Sequence, residues 1–302
     1  MNDIPKVSFC IISYNQERYI KEAIESAFMQ EYDNLEIIIS DDASSDSTPI
    51  IIKEMVENYS GPHEVVYNIN ENNLGIREHC NKLLYSLAKG DIILLAGGDD
   101  VSMPDRTAKY VQIFMKFPEV MSVSCKSMET DENMRPLNGA EEYDCTYSVL
   151  NVHDYIRFAD FVLFPGDSRG IRREVIDAFP KLEYPSAEDI YLFFRSLLLG
   201  SVYYLREPLV KRRNHNSNFS KVRTKHYYEF EKQTNVDIDI AYQKGYISAG
   251  TANELKDKVY YLRRIFEIYW NPPTSSWGTL LYRILGKVFK VKIKMTRRKE
   301  CK

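Results

Sequence analysis

Several familiar signatures are missing from this 302-residue chain, and each absence narrows what it does. No run of about 18 or more apolar residues occurs, so no membrane-spanning helix is expected. A strand-like segment begins within a few residues of the start, so no secretory leader is expected and the expected location is cytoplasmic. The dinucleotide fingerprint G-x-G-x-x-G is absent, as is the phosphate loop G-x-x-x-x-G-K-[ST]. Nicotinamide chemistry and ATP hydrolysis by those routes are thereby disfavoured. Cysteine is sparse: Cys10, Cys80, Cys125, Cys145 and Cys301 are scattered and never spaced C-x-x-C. That pattern points to a reducing compartment and away from a disulfide or zinc framework. Net charge is only −3, so no global basic field points to nucleic acid.

What is present reads as an ordinary globular protein, 44% hydrophobic and 27% charged, long enough for a substantial core. Its 22 tyrosines suit a sugar-binding surface, although tyrosine also fills cores and rims. The most informative stretch is 92–104, I-I-L-L-A-G-G-D-D-V-S-M-P. A short apolar run bounded by glycines reads as a buried parallel strand. Asp99 and Asp100 follow at its carboxyl end, where ligands collect in open α/β sheets. Adjacent acids there need a cation or strong hydrogen-bond donors, and hard oxygen ligands suit Mg²⁺ or Mn²⁺. The plainer alternative is a loop that caps the next helix.

The segments around this stretch alternate. Strands are expected at 6–12, 35–40 and 64–69, the second ending in Asp41-Asp42. A first helix over 16–30 places Ile20, Ala23, Ile24, Ala27 and Phe28 on one stripe. A second follows Thr48 as N-cap with Pro49 behind it. A third carries Cys80, Leu83, Leu84 and Leu87 inward, with Gly90 as a left-handed cap. Beyond Pro104 come a helix to about Phe117, a strand at 121–125 and a polar, solvated loop over 126–165. Residues 169–179 read as a strand or turn leading into a short helix. Glu188-Asp189 opens an amphipathic helix, and a strand at 202–205 precedes a basic turn from Arg212 to Ser217. Such alternation implies a Rossmann-like, mostly parallel central sheet flanked by helices.

Six segments together resemble the inverting family 2 glycosyltransferases of the GT-A fold, over about residues 5–220. They are V-S-F-C-I-I-S-Y-N-Q-E-R-Y-I, E-I-I-I-S-D-D-A-S-S-D-S-T, N-N-L-G-I-R-E-H-C-N, G-D-I-I-L-L-A-G-G-D-D-V-S-M-P-D-R, E-D-I-Y-L-F-F-R and P-L-V-K-R-R-N-H-N-S-N-F-S. The resemblance implies sugar transfer from a nucleotide diphosphate sugar to a hydroxyl of a glycan or lipid-linked acceptor. The setting it implies is bacterial surface polysaccharide: O-antigen, capsule or lipopolysaccharide. A UDP-sugar is the expected donor, with dTDP- and GDP-sugars as alternatives.

The resemblance also assigns residues. Ser13, Tyr14 and Asn15 border the base and ribose, and Asp41 accepts a base N–H. Asp42 either joins it or only orients the turn. Asn73 and Gly75 stand beside the base or form a plain turn. Gly98, Asp99 and Asp100 face the donor, and Asp99 holds Mn²⁺ or Mg²⁺. His215 is a further metal ligand or an exposed loop histidine. Arg212 and Arg213 grip the diphosphate or belong to an ordinary basic loop. Asp189 is the general base, with Glu188 as the alternative. Two departures stand out: Gly97 replaces the first Asp of the metal motif, and Cys80 replaces a common Arg. Both favour a competing reading, a catalytically silent scaffold or partner-binding protein; Asp99 and Asp189 argue against it. A nucleotidyltransferase would carry a glycine-rich basic loop after the first strand, which S-Y-N-Q-E-R lacks.

The expected division is a glycosyltransferase domain over 1–220 and a helical extension over 221–302. Within the extension, 225–270 reads as helical, with Leu255, Val259, Leu262, Ile265 and Phe266 on one stripe. Residues 277–294 interleave an apolar face with lysines and arginines behind a tryptophan. That is the pattern of a helix lying on an anionic membrane, which would make the protein peripheral on the inner face of the cell membrane. The alternative is docking on the chain's own catalytic domain.

Overall fold

Three apolar runs make the centre of the molecule. β1 (Val7–Ser13), β2 (Leu35–Asp41) and β4 (Ile92–Gly97) have no exposed position, as strands covered on both faces require. β1 pairs in parallel with β2 on one side and β4 on the other, and β3 (Glu64–Ile69) extends the sheet from β2. The computed structural model describes residues 4–137, 148–158, 168–184, 188–215 and 227–270.

Alternate residues of each central strand feed two different cores. Val7, Phe9 and Ile11 of β1, Ile37 and Ile39 of β2, and Ile92 and Leu94 of β4 meet α1 (Ile20–Phe28), α2 (Thr48–Glu57) and α4 (Arg106–Lys116). Cys10, Ile38, Ile93 and Leu95 meet α3 (Gly75–Lys82), with Leu83 and Leu84 of the π turn that follows it. The same layer takes Ile176 of α6 (Arg173–Asp177) and Leu192 of α7 (Glu188–Leu199). Each such aliphatic, fully buried, contributes about 1.5–3 kcal/mol.

Past β4 the sheet turns mixed. β8 (Gly170–Arg172) runs antiparallel between β4 and β6 (Val120–Thr130), and β6 pairs in parallel with β9 (Ser201–Arg213). β5 (Val101–Ser102) and β7 (Val149–Asn151) add antiparallel to β9, β7 leading into α5 (Val152–Phe158). The order is β3-β2-β1-β4-β8-β6-β9-β5, with helices on both faces. Two helices, α8 (Tyr227–Gln243) and α9 (Ala249–Trp270), form a hairpin. Ile238, Ala241, Leu255, Val259 and Leu262 of this hairpin share a buried cluster with Phe193, Phe194, Leu197 and Leu198 of α7.

Several boundaries differ from the sequence reading. The first helix begins at Ile20, because turns occupy the residues before it. Thr48 does not cap its helix: its hydroxyl accepts from the Gln16 amide at 2.8 Å. Gly90 is not a left-handed cap: among the described residues the positive-φ glycines are Gly75 and Gly245. It is needed for close approach, because a Cβ there would sit 2.8 Å from the Lys6 carbonyl. The strand expected at 121–125 runs on to Thr130, and the one at 202–205 reaches Arg213 past Pro208, through register shifts at Cys125–Ser127. The helical stretch 225–270 breaks at a turn holding Gly245 at φ 76.

Candidate functional site

The register of the central strands brings their carboxyl ends level. Ser13 lies opposite Asp41, and Ile12 opposite Gly97. The Asp42 amide donates to the Ser13 carbonyl at 3.0 Å and the Gly98 amide to the Ile12 carbonyl at 2.9 Å. β2 and β3 lie to one side of β1 and β4 to the other, which makes this edge the topological switch point where open α/β sheets bind ligands.

Two loops close one wall of it. Asn15 and Ala43 both adopt left-handed backbone, at φ 51 and φ 57. Asn15 donates its amide to Ser44 Oγ at 2.7 Å and accepts from the Ser45 amide at 2.9 Å. Asp41, fully buried, accepts from Ser13 Oγ at 3.0 Å and Ser44 Oγ at 2.6 Å on Oδ1, and from the Ser44 amide at 2.8 Å on Oδ2. Asp42 is a brace: Oδ1 accepts from Asn70 Nδ2 and the Leu74 amide, and Oδ2 from the Gly75 amide, all at 2.9 Å. Asn73 Oδ1 accepts from the same Gly75 amide at 2.9 Å. Gly75, at φ 75, supplies the backbone this turn needs. Tyr14 stands exposed beside the loops.

The opposite wall is built from β4 and the end of β9. Asp99 Oδ2 and His215 Nε2 lie 2.9 Å apart. The Arg213 amide donates to Asp100 Oδ1 at 2.9 Å. The Arg213 side chain is buried: it donates to the Asp99 carbonyl at 2.9 Å, to Glu22 Oε2 at 2.9 Å and to the Glu132 carbonyl. Its guanidinium lies 4.7 Å from the Tyr19 ring centroid, and the His215 ring lies 4.6 Å from the same ring. Arg212, by contrast, is part-exposed and pairs with Glu129 at 3.3 Å. Sequence reasoning missed Tyr19, Glu22 and Glu132; an aromatic one residue before a helix carries no signal that it will stack on a residue nearly 200 positions away.

Both glycines at the turn out of β4 are closely surrounded by side chains. A Cβ at Gly97 would sit 2.7 Å from Asp99 Oδ1, and one at Gly98 would sit 2.9 Å from Ile20 Cδ1 and collide with Gln16 Oε1. Among the described residues no group of three or more His, Cys, Asp or Glu converges as a metal cage. Asp99 and His215 nevertheless offer a carboxylate oxygen and an imidazole nitrogen side by side. A Mg²⁺ or Mn²⁺ ion that takes its other ligands from diphosphate and water fits such a donor set.

Glu188 and Asp189 occupy the first turn of α7, where the helix dipole favours negative charge. Asp189 Oδ1 accepts from the Ile190 amide at 2.8 Å. Burial pushes the Glu188 carboxyl up to about 8, and the neighbouring Asp189 charge adds to the rise, with Arg169 opposing it. The buried Cys80 thiol is held well above its ordinary range by burial, then by the charges of Glu188, Asp189 and Asp42. Cys80 thus stands in the field of both the base-side turn and the α7 carboxylates. Asn216 and Ser217 of the basic turn, and the basic segment 277–294, lie outside the described residues.

The model of the family described as "Glycosyl transferase family 2" matches residues 8–178, more than half of the chain. The putative glycosyltransferase EpsE of Bacillus subtilis is 38% identical over 133 residues, 44% of this chain and 46% of that protein. The match spans between about half and two thirds of the length of most of the curated relatives. Among solved structures, S. aureus TarS 1–349 in complex with UDP-GlcNAc superposes with a TM-score of 0.66 at 16% identity, covering 93% of this chain and 79% of TarS 1–349. The mannosyltransferase PcManGT of Pyrobaculum calidifontis, solved with GDP-Man and Mn²⁺, gives 0.56 at 16% identity, covering 98% and 84%. At that identity the likeness shows a shared fold, the GT-A arrangement of a curled mixed sheet between helices.

Proposed function

The chain belongs to glycosyl transferase family 2, and we propose that it moves a sugar, with inversion, from a nucleotide diphosphate sugar to a hydroxyl of a glycan or lipid-linked acceptor in surface-polysaccharide synthesis. The observation that carries this reading is the pairing of Asp99 with His215 at the sheet edge that also holds the Asp41 turn. TarS with UDP-GlcNAc and PcManGT with GDP-Man support a nucleotide-sugar donor, and a UDP-sugar is our first choice.

The geometry supports the following roles. We assign Asp41 to the base side of the donor through the Ser13–Ser44 turn that it fixes, while Ser13, Tyr14 and Asn15 border base and ribose. Asp42, Asn73 and Gly75 hold the facing turn in shape. Asp99 and His215 would hold Mg²⁺ or Mn²⁺, which when bound supplies positive charge to the leaving diphosphate. Asp100 and Gly98 shape the loop beside the donor. We assign Arg213 to that framework and not to the diphosphate, because protein partners surround its guanidinium.

On the acceptor side, burial first and the neighbouring Asp189 charge next push the Glu188 carboxyl up to about 8, and we assign the base to Asp189. Asp189 takes the proton of the acceptor hydroxyl as its oxygen attacks the anomeric carbon from the face opposite the diphosphate. The bond to the diphosphate breaks, and the nucleoside diphosphate leaves. The silent-scaffold alternative rests on Gly97 and Cys80; a Cβ at position 97 would press on the Asp99 carboxylate, so a glycine there is compatible with a working Asp99. We retain 1–220 as the catalytic region and the 277–294 segment as a proposed anionic-membrane contact. Among the described residues, no helix is long and apolar enough to cross a membrane.

Proton NMR of the sugar first released from an α-linked donor such as UDP-GlcNAc tests inversion. The β anomer is expected; first release of the α anomer would contradict the mechanism.

A further inference from the structure

Residues 179–184 lead from α6 into the turn that carries Glu188 and Asp189, and they form no helix or strand. Their backbone is gripped from several sides. Asn81 on α3 exchanges two hydrogen bonds of 2.9 Å with the carbonyl and amide of Leu182. Tyr85, in the π turn, donates to the Pro180 carbonyl at 2.7 Å. Gln233 on α8 accepts from the Glu183 amide at 2.9 Å and from the Tyr184 amide at 3.4 Å.

Gln233 also ties this segment to α7 itself. Its side-chain nitrogen donates to Asp237 Oδ1 at 3.1 Å. Asp237 receives both prongs of Arg195, each at 2.8 Å, and neither side chain has exposed surface. Arg195 Nη1 donates onward to Tyr85 Oη and the Pro180 carbonyl, both at 2.9 Å. The network is therefore closed: α8 holds the entry to α7 at Glu183 and Tyr184, and α7 at Arg195. Arg195 lies about two turns beyond Glu188, on the same side of the helix. A buried ion pair adds little net stability over an apolar substitute, and its best-attested use is fixing register.

We infer that Gln233 and Asp237 are positioning residues for the α7 carboxylates, so that α8, beyond the reach of the family resemblance, is part of what makes the site catalytically competent. The inference rests on Asp189 acting as base. Neither residue touches the donor side, so their effect falls on the rate of the chemical step and spares nucleotide affinity. A displacement of about 1 Å at a catalytic group costs up to about a hundredfold.

Gln233→Met removes both amide hydrogen bonds and the one to Asp237 at similar volume and keeps Arg195–Asp237; Gln233→Asn, which stays polar but draws the amide back by one methylene, serves if the first variant does not fold. Both are made in the full chain. Nucleotide release from UDP-GlcNAc and GDP-mannose, UDP and GDP affinity by calorimetry, and amide exchange over 183–190 are compared with wild type. The expected result is a rate lower by on the order of tenfold or more, nucleotide affinity within about twofold, and faster exchange at 188–190. Unchanged exchange, or affinity falling in step with rate, overturns the inference. If the wild-type chain releases neither nucleotide, the sugar-transfer reading fails on its own, and exchange at 188–190 still decides whether α8 holds that turn.

Discussion

Asp99 Oδ2 meets His215 Nε2 at 2.9 Å across 116 residues of sequence. The contact joins the loop after β4 to the residue two past β9, and the tilted Tyr19 ring lies against the histidine. The two side chains are thus brought together by sheet topology: β5 pairs with β9, which carries His215 back over the β4 loop.

The first prediction concerns this pair. His215→Ala leaves the carboxylate but removes the nitrogen donor. Mn²⁺-dependent nucleotide affinity is expected to fall at least about tenfold, with metal-free affinity unchanged. Isothermal titration with and without chelator reads both.

Gly97→Asp restores the acid that the family motif carries, and it is expected to harm the site. The new Cβ would crowd Asp99 Oδ1, which lies 2.7 Å from that position. Nucleotide release should slow by on the order of tenfold, as expected for a misplaced ligand. A gain in rate would show that the loop relaxes freely.

Arg213→Lys separates a framework role from diphosphate binding. Lysine cannot reproduce the forked contacts to Asp99, Glu22 and Glu132. Stability is expected to drop by about 1–3 kcal/mol, as for a lost buried polar contact. Urea denaturation checks this, and nucleotide affinity of the folded fraction should change much less than it does for Asp99→Ala.

The α7 carboxylates predict a pH dependence. Glu188 holds its proton in the folded chain up to about pH 8 and releases it at the ordinary carboxylate range when unfolded. Between those limits the folded state binds more protons, so stability falls as pH rises toward 8 and levels beyond it. Glu188→Gln should flatten that slope in thermal melts taken from pH 5 to 9. Asp189→Asn, in contrast, should cost about 10²–10⁴ in transfer rate.

The strand–helix alternation through α4 was legible because each strand is a short apolar run and each helix shows one stripe, as Ile20, Ala23, Ile24 and Ala27 do. The extended ends of β6 and β9 were not. Ser127, Glu129, Lys211 and Arg212 are polar in type, yet they pair across the sheet beyond a bulge, which no local pattern announces. The site was legible as motifs, not as contacts. Arg213 read either as a diphosphate grip or as part of an ordinary basic loop, because its partners Glu22 and Glu132 come from distant segments. The Arg195–Asp237 pair escaped notice for the same reason: an arginine within an apolar helix face shows no partner until α8 folds against it.

The most direct test of the central claim is calorimetric binding of UDP, GDP, CDP and dTDP to the wild-type chain and to Asp99→Ala, each with Mn²⁺, Mg²⁺ or chelator. A working donor site predicts metal-dependent binding that favours one diphosphate, UDP first, and is lost in the variant. Absence of binding to all four under every metal condition would contradict the account and leave the scaffold reading in its place.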